Sequence, residues 1–310
     1  MYIVDFIKSL TKKNNIGVFI WIILNILLIT ALFSNGYESW QGVLLGLGIY
    51  VVSMVIALSP IGEWMLRLQL GCKNIKDPYV LQRLEPLFGE VYSKARAANP
   101  ELGDNVKMYI SDDKEPNAFA TGRKTVCVTC GLLDYSDEHI KGVLAHEFGH
   151  LAHKDTDIIL VVSVGNMVVN AIFILVRFLA NFAMICGQIF TAASSEGWSG
   201  FIATLFVGFG RIIADAILVL LMRIWTQIGV WLCMHSSRQN EYEADRYSYD
   251  CGYGNELAEV LLSFGSGGKA SGLFAALASS HPDNADRVEK LRSYSGSAMD
   301  SISYNNNSFI

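Results

Sequence analysis

Long uncharged runs of apolar residues alternate with mixed polar stretches along this chain. Two such runs, residues 14–37 and 39–62, lie near the N-terminus, and each exceeds the roughly 20 residues needed to cross a bilayer. Glu38 lies in the short turn between them, so the pair is predicted to form a transmembrane hairpin. Basic residues flank its open end, which by the positive-inside rule places both ends in the cytoplasm: Lys8, Lys12 and Lys13 before the hairpin, and Arg67, Lys73 and Lys76 after it.

A second pair of apolar runs lies in the C-terminal half. The pattern predicts one membrane-spanning helix within residues 158–180 and another within 205–232, joined by an outer connection over residues 181–204. Arg211 and Asp215 stand four residues apart, hence on one helical face, and such a pair is costly in a membrane unless it lies at an interface or faces protein. The alternative for this region is a pair of buried or interfacial helices.

The stretch between the two pairs has the pattern of a soluble α+β domain. Apolar positions at helical spacing predict a helix over residues 77–98, which Pro86 would kink or divide. Residues 106–110 and 125–129 are rich in β-forming side chains and are predicted to be strands. An edge strand in the 110–130 region could bind an extended peptide by strand addition.

The next predicted helix, capped by Ser136 or Asp134, carries the motif His146-Glu147-Phe-Gly-His150. Positions i and i+4 lie on one face of a helix, so the two imidazoles can bind one Zn²⁺ ion, and the glutamate can reach a water on that ion. The motif is short enough to occur by chance. A catalytic zinc site also needs a third protein ligand.

The segment Glu241-Tyr-Glu-Ala-Asp245 can supply that ligand. Its E-x-x-x-D spacing places Glu241 and Asp245 on one helical face, where Glu241 can bind the metal and Asp245 can accept a hydrogen bond from a ligating imidazole. Glu243 points to the opposite side. Such a site is suited to hydrolysis, because Zn²⁺ lowers the pKa of its water and polarises a carbonyl, while Glu147 takes the water proton and passes it to the leaving amine.

The composition is typical of a membrane protein and does not favour a nucleic-acid-binding protein. Hydrophobic residues make up 52% of the chain and charged residues 17%, against roughly 25% charged residues in soluble domains. The net charge of −5 and the lack of a basic stripe give no indication of nucleic-acid binding. Cys127 and Cys130 form a lone C-x-x-C in a predicted strand, where their side chains face opposite sides, so they are interpreted as ordinary thiols in a reducing compartment.

Four motifs occur in a characteristic order: Pro116-Asn-Ala-Phe-Ala-Thr-Gly122, the H-E-x-x-H, Ser237-Arg-Gln-Asn-Glu-Tyr-Glu-Ala-Asp245, and Ser280-His-Pro followed by Arg287. In this order they resemble the HtpX family of membrane-embedded zinc metalloproteases, which is related to the CAAX prenyl proteases. The N-terminal hairpin and the apolar runs between the zinc motifs match as well. One departure is the stretch around the Gly-rich loop 265–272, which is compressed relative to the family and bears on the shape of the substrate cleft.

The resemblance implies a zinc site and a setting for it. His146, His150 and Glu241 would bind one zinc ion per chain, and Glu147 would be the catalytic base. The family acts in quality control at the bacterial inner membrane, with its active site on the cytoplasmic side. Misfolded or damaged membrane proteins are therefore the implied polypeptide substrates.

The resemblance also implies roles in substrate binding. Asn117, Ala118 and Phe119 would belong to the family's substrate-binding edge strand. His281 and Arg287 match the family's C-terminal His-Pro and Arg positions, where they would contact the substrate or stabilise the oxyanion as part of catalysis.

Together these predictions describe a mostly α-helical integral membrane protein with four transmembrane helices and a cytoplasmic α+β metalloprotease domain of the zincin type, similar to gluzincins. The predicted segments are a basic N-terminus with the hairpin (1–62), a zincin part (63–157), the second apolar pair (158–234), a part with the third ligand (235–292) and a flexible tail (293–310). Two alternatives are a non-catalytic membrane adaptor, which is expected to lack a ligand or the base, and a prenyl-protein-type protease, which needs a larger intramembrane chamber.

Overall fold

The computed structural model describes residues 6–8, 10, 15–33, 40–194, 197–263 and 284–294. Four predicted features lie outside these residues: the turn around Glu38, the Gly-rich loop 265–272, His281 and most of the tail. Ser293 and Tyr294, which the sequence predicts to begin the flexible tail, are instead helical.

The described chain is mostly helical and contains one small sheet. The helices, in chain order, are α1 (Ile16–Phe33), α2 (Trp40–Ala57), α3 (Pro60–Gln69), α4 (Pro78–Ala98), α5 (Asp137–His153), α6 (Asp155–Ser194), α7 (Gly197–Asp250), α8 (Gly254–Ser263) and α9 (residues 284–294). The strands are β1 (Lys107–Ser111), β2 (Ala118–Thr121) and β3 (Thr125–Thr129). The helix predicted over residues 77–98 and the two predicted strands are thus confirmed within one or two residues, and Pro86 does not divide α4.

Among the described residues, three helices are long and apolar enough to cross a membrane. The candidate spans are Trp40–Ala57 in α2, Val169–Phe190 in α6 and Ile202–Cys233 in α7. The apolar stretch of α1, Ile16–Ala31, is shorter. A fourth span therefore stays a prediction.

The connection predicted over residues 181–204 is wrong, because helix occupies nearly all of that range. α6 continues to Ser194 and α7 begins at Gly197. The sequence offers no proline and no charge between residues 178 and 194 that would end α6. Small and polar residues near the end of an apolar run are thus not sufficient to stop a helix.

A single helix, α7, contains both a candidate membrane span and the predicted third zinc ligand. It runs for 54 residues, from Gly197 to Asp250, and is about 80 Å long at 1.5 Å per residue. Glu241 and Asp245 lie two to three turns beyond Cys233, where the span ends. The position of these carboxylates is therefore fixed relative to the membrane segment by continuous backbone hydrogen bonding.

The sheet has the strand order β1-β3-β2, so β2 is an edge strand. β3 pairs in parallel with β1 and antiparallel with β2. One face packs into the core beneath α4 and α5 through Met108, Ile110, Ala118, Ala120, Val126 and Val128. On the other face, Arg67 of α3 donates a hydrogen bond to Thr125 Oγ1 at 3.1 Å and lies over the ring of Tyr109. The sheet thus lies between the core and α3.

An aromatic cluster fixes the orientation of α5. Phe148 is fully buried, and its ring centroid lies 5.3 Å from that of Phe88 and 5.4 Å from that of Tyr92. Since Phe88 and Tyr92 both belong to α4, these rings lock the two helices together. The neighbouring positions 146, 147 and 150 are thereby directed away from α4.

An ion pair joins α6 and α7 inside the candidate spans. Arg177 donates through two nitrogens to the carboxylate of Asp215, with Nη2 at 2.8 Å from Oδ2, and Asn181 Nδ2 donates to Oδ1 of Asp215 at 3.0 Å. Asp215 is therefore paired across to the neighbouring helix. This contact meets the condition under which a charge is tolerated at membrane depth.

We expect the Arg177→Leu variant to unfold at a lower temperature in detergent micelles, because Asp215 then remains charged in an apolar setting. The double variant Arg177→Leu/Asp215→Leu should regain most of the lost stability. Arg223→Leu, the same change within the same span of α7, serves as the control. An unchanged Tm for Arg177→Leu would show that the pair does not hold α6 against α7.

Candidate metal centre

Local capping determines where α5 begins and ends. Ser136 Oγ accepts a hydrogen bond from the His139 amide at 3.3 Å at its start. At the other end Lys154 adopts a left-handed conformation, φ 62°, and caps the last turn. The chain therefore turns immediately after His153, and α6 starts at Asp155 beside the second histidine of the motif.

A close approach of α5 and α7 brings the candidate ligands together. A Cβ atom at Gly149 would lie 2.9 Å from Cα of Ala244 and 3.1 Å from Cβ of Tyr247, so only glycine allows this helix spacing. Ser248 also donates to the carbonyl of Gly142 at 3.2 Å. The α7 face that carries Glu241 is thus pressed against the α5 face that carries the histidines.

Three of the sequence-predicted ligands converge on one point. Nε2 of His146 lies 3.2 Å from Nε2 of His150 and 3.3 Å from Oε2 of Glu241, and Nε2 of His150 lies 3.4 Å from Oε1 of Glu241. A tetrahedral ion with bonds of about 2.0–2.1 Å separates its ligand atoms by about 3.4 Å. Two imidazole nitrogens and a carboxylate oxygen at these separations therefore fit Zn²⁺, and this mixed donor set is unlike the all-oxygen sites of Mg²⁺ and Ca²⁺.

A carboxylate holds the other ring nitrogen of each histidine. Nδ1 of His146 lies 2.9 Å from Oδ1 of Asp245, the contact that the E-x-x-x-D spacing predicts. Nδ1 of His150 lies 3.3 Å from Oδ2 of Asp155. Because a carboxylate only accepts, each Nδ1 carries the proton and each Nε2 presents its lone pair to the centre.

Sequence reasoning missed Asp155. It stands five residues after His150, beyond the helix end, so helical spacing does not connect the two residues. The left-handed turn at Lys154 makes the contact. The one available signal was an acidic residue at the start of the next apolar helix.

The centre carries more negative than positive charge. Glu147, Asp155, Glu241 and Asp245 are each no more than 6% exposed, and Arg287 supplies one guanidinium among them. Burial lowers the pKa values of both imidazoles, yet the neighbouring carboxylates outweigh it and raise the pKa of His146 and, more strongly, that of His150. The surrounding charge thus favours a cation between the histidines and Glu241.

Arg287 lies inside the protein against Asp245. Its Nε and Nη2 atoms donate to the two carboxylate oxygens at 2.8 and 2.6 Å, and Nη2 also lies 3.5 Å from Oε2 of Glu241. Burial alone would raise the pKa of Asp245, but the guanidinium outweighs it and holds that pKa below its usual range. Arg287 therefore keeps Asp245 ionised as the acceptor for His146. The predicted contact of Arg287 with substrate stays a prediction.

Glu147 connects the centre to the edge strand. Its Oε2 accepts a hydrogen bond from the backbone N–H of Ala120 at 2.6 Å. This N–H points away from β3. Because the backbone groups of alternate residues in a strand point in the same direction, the backbone N–H of Ala118 also points to the free edge of β2. Asn117 precedes β2, and Phe119 pairs with Cys127 of β3. The structure thus places the sequence-predicted substrate strand beside Glu147.

Comparison with known proteins identifies the family. Residues 80–295 match the model of peptidase family M48. Proteins named protease HtpX are 30% identical over 261 residues in Pseudomonas putida (strain GB-1), which covers 75% of this chain and 79% of the relative, and 30% identical over 295 residues in Pseudomonas entomophila (strain L48), which covers 83% and 90%. The chain belongs to peptidase family M48.

One solved structure has a partial likeness to this M48 peptidase. The crystal structure of Ste24p from S. mikatae is 22% identical, with a TM-score of 0.42, and the match covers 94% of this chain and 66% of that chain.

Family membership determines the class of activity. The protein is a metalloendopeptidase, a hydrolase that acts on polypeptides, and it is a membrane protein with apolar helices long enough to span a bilayer. Family M48 implies a metal, generally zinc, and the His146, His150 and Glu241 cluster could bind it.

We expect Gly149→Ala to reduce bound zinc below one ion per chain, because the added methyl group forces α7 and Glu241 away from the histidines. Such overpacking typically costs about 1–3 kcal/mol. Metal analysis of the purified protein and its Tm provide the measurement. Gly89→Ala is the matched control, since a Cβ atom there meets nothing within 4 Å. Full zinc content in Gly149→Ala would refute this account of the helix spacing.

Proposed function

We propose that this M48 peptidase is a zinc-dependent endopeptidase of the bacterial inner membrane that cleaves misfolded or damaged membrane proteins on the cytoplasmic side. The observation that carries the proposal is the convergence of three metal donors, Glu147 and the free edge of β2 at the end of a helix that contains a candidate membrane span. The metal donors and Glu147 would supply the hydrolytic chemistry, the edge of β2 would bind the peptide, and the candidate span would hold the site near the membrane.

The metal donors and Glu147 would have different roles in the hydrolysis. His146, His150 and Glu241 would hold Zn²⁺, which in such sites polarises a scissile carbonyl and lowers the pKa of a water. Glu147 would take a proton from the attacking water and pass it to the leaving amine. Its hydrogen bond to the Ala120 amide fixes Oε2, which leaves Oε1 to receive the proton.

The free edge of β2 supports binding of an extended peptide. A substrate strand that pairs with the backbone groups of Ala118 at the free edge, next to Asn117 and Phe119, would pass directly by Glu147, because Ala120 of the same edge already contacts that carboxylate. Main-chain pairing recognises any extended segment regardless of sequence. This mode suits an enzyme that removes unfolded proteins of diverse sequence.

The membrane setting supports membrane proteins as substrates. Glu241 lies two turns past the end of a candidate span, so the centre would lie close to the bilayer surface. The basic residues that flank the N-terminal hairpin favour the cytoplasmic side for this domain. Segments that emerge unfolded from the bilayer would then reach β2 without leaving the membrane surface.

We expect Glu147→Gln to keep zinc and lose about 10²–10⁴-fold in kcat, because the amide cannot accept the water proton. The measurement is cleavage of casein and of an unfolded membrane protein by the detergent-purified enzyme with zinc. Glu138→Gln, an exposed change on the same helix, is the control. If Glu147→Gln cleaves at the normal rate, the assignment of the base is wrong.

We expect Glu241→Ala to hold zinc substoichiometrically, because the site loses one of three protein ligands. Metal content is measured after dialysis against a weak chelator. Glu243→Ala tests the neighbouring glutamate, which should retain zinc. The reverse result, with zinc lost in Glu243→Ala and kept in Glu241→Ala, would transfer the third ligand to Glu243.

A further inference from the structure

A cavity of about 500 Å³ lies on the side of the sheet that faces α3, away from the metal centre. Its wall is formed by the junction of α2 and α3, the first residues of β1 and β3, and the start of α6. Its volume is in the range of small-molecule sites. The lining is formed by residues that the peptidase chemistry does not use.

Positive charge dominates this cavity in a chain of net charge −5. Each of its two acidic residues forms an ion pair with one of its two arginines. Oε1 of Glu63 lies 3.3 Å from Nη1 of Arg67, and the carboxylate of Asp157 accepts hydrogen bonds from Nε of Arg123 at 3.0 and 3.1 Å. Lys107 and Lys124 line the cavity as well, and both are exposed. The two lysines thus give the cavity a surplus of positive charge.

The two lysines are held side by side by the backbone of the sheet. The amide of Lys107 donates to the carbonyl of Lys124 at 2.7 Å, where the adjacent strands β1 and β3 begin. Their positions therefore depend on the sheet itself. Lysine side chains that extend from a fixed backbone into a cavity can bind a phosphate through their ammonium groups.

The cavity adjoins the end of a candidate membrane span. Leu58, Ser59 and Pro60 line it and directly follow Ala57, the end of the candidate span in α2. On α3, Ile61, Trp64 and Leu68 are more than half exposed. Their i, i+3, i+7 spacing puts these three side chains on one face.

An exposed apolar face with a tryptophan is typical of a helix that lies in the membrane interface. Since the opposite side of α3 contacts the sheet through Arg67, the same helix joins the bilayer to the cavity. The apolar face and the basic cavity therefore both border α3, close to the end of the candidate span in α2.

We propose that this cavity binds the phosphate headgroup of an anionic phospholipid, with the acyl chains along the apolar face of α3. Lys107 and Lys124 bind the phosphate, and Arg123 closes the inner wall through its pair with Asp157. A phospholipid matches both the basic cavity and the apolar face of α3, because it carries a phosphate and hydrocarbon chains in one molecule. Free phosphate would match only the positive charge of the cavity.

The bound lipid would stabilise the edge strand of the active site. Arg123 lies in the turn between β2 and β3, and the carbonyl of Gly122 in that turn accepts a hydrogen bond from Thr156 of α6. Ala120, two residues earlier, contacts Glu147. A headgroup held against this turn therefore fixes the strand that contacts the catalytic carboxylate.

The test measures lipid binding to the delipidated full chain in detergent, with no cleavage assay, so its result is independent of the proposed function. Short-chain phosphatidylglycerol should bind saturably and raise the Tm. Phosphatidylcholine and inorganic phosphate should each bind at least ten-fold more weakly. Equal binding of phosphatidylcholine would overturn the proposal, and inorganic phosphate binding as tightly as the lipid would assign the cavity to free phosphate instead.

Charge-matched variants locate the binding to the cavity. Lys107→Gln/Lys124→Gln should weaken phosphatidylglycerol binding at least ten-fold, whereas Lys107→Arg/Lys124→Arg should retain it. Lys76→Gln/Lys114→Gln removes the same charge at exposed lysines outside the cavity and should leave binding unchanged. Equal weakening in this control, or full binding in Lys107→Gln/Lys124→Gln, would contradict the proposal.

Discussion

The structure depends on a charge constraint between α5 and α7. Four buried carboxylates surround two imidazoles, and one guanidinium does not balance them. The crowded carboxylates favour positive charge between them: they raise the pKa of His146 and, more strongly, that of His150, and they suit the site to a cation. The ligand spacing of 3.2–3.4 Å provides the place for a divalent ion. Several features of the fold serve this convergence: the glycine contact at Gly149, the left-handed turn at Lys154 and the internal pair formed by Arg287.

The continuity of α7 gives the metal centre its relation to the membrane. A candidate span and the residues Glu241 and Asp245 belong to one helix without an intervening loop. On the opposite side, α3 follows the candidate span in α2 and contacts the sheet whose edge reaches Glu147. The centre is thus bounded by two elements that each continue from a candidate span, which is a physical basis for the activity proposed at a membrane surface.

The parts of the site that rest on helical spacing could be predicted from the sequence. The i, i+4 relation places His146 beside His150, and Glu241 beside Asp245, before any tertiary contact is known. Asp155 could not be found this way, because it reaches His150 through the left-handed turn at Lys154. The internal position of Arg287 depends on α9 packing against α7, and no local pattern reveals it. The apolar pattern predicts a span within residues 158–180 and a connection after it, whereas α6 continues to Ser194, because an apolar run without a proline gives no signal where the helix stops.

X-ray absorption at the zinc edge of the purified, zinc-loaded protein identifies the atoms that bind the metal. We expect one zinc ion per chain, bound by two imidazole nitrogens and by oxygen ligands at about 2.0–2.1 Å. Loss of one oxygen scatterer in the Glu241→Ala protein, at retained imidazole scattering, would agree with the assigned ligand set. Sulfur scattering at about 2.3 Å, or a single imidazole, would contradict it.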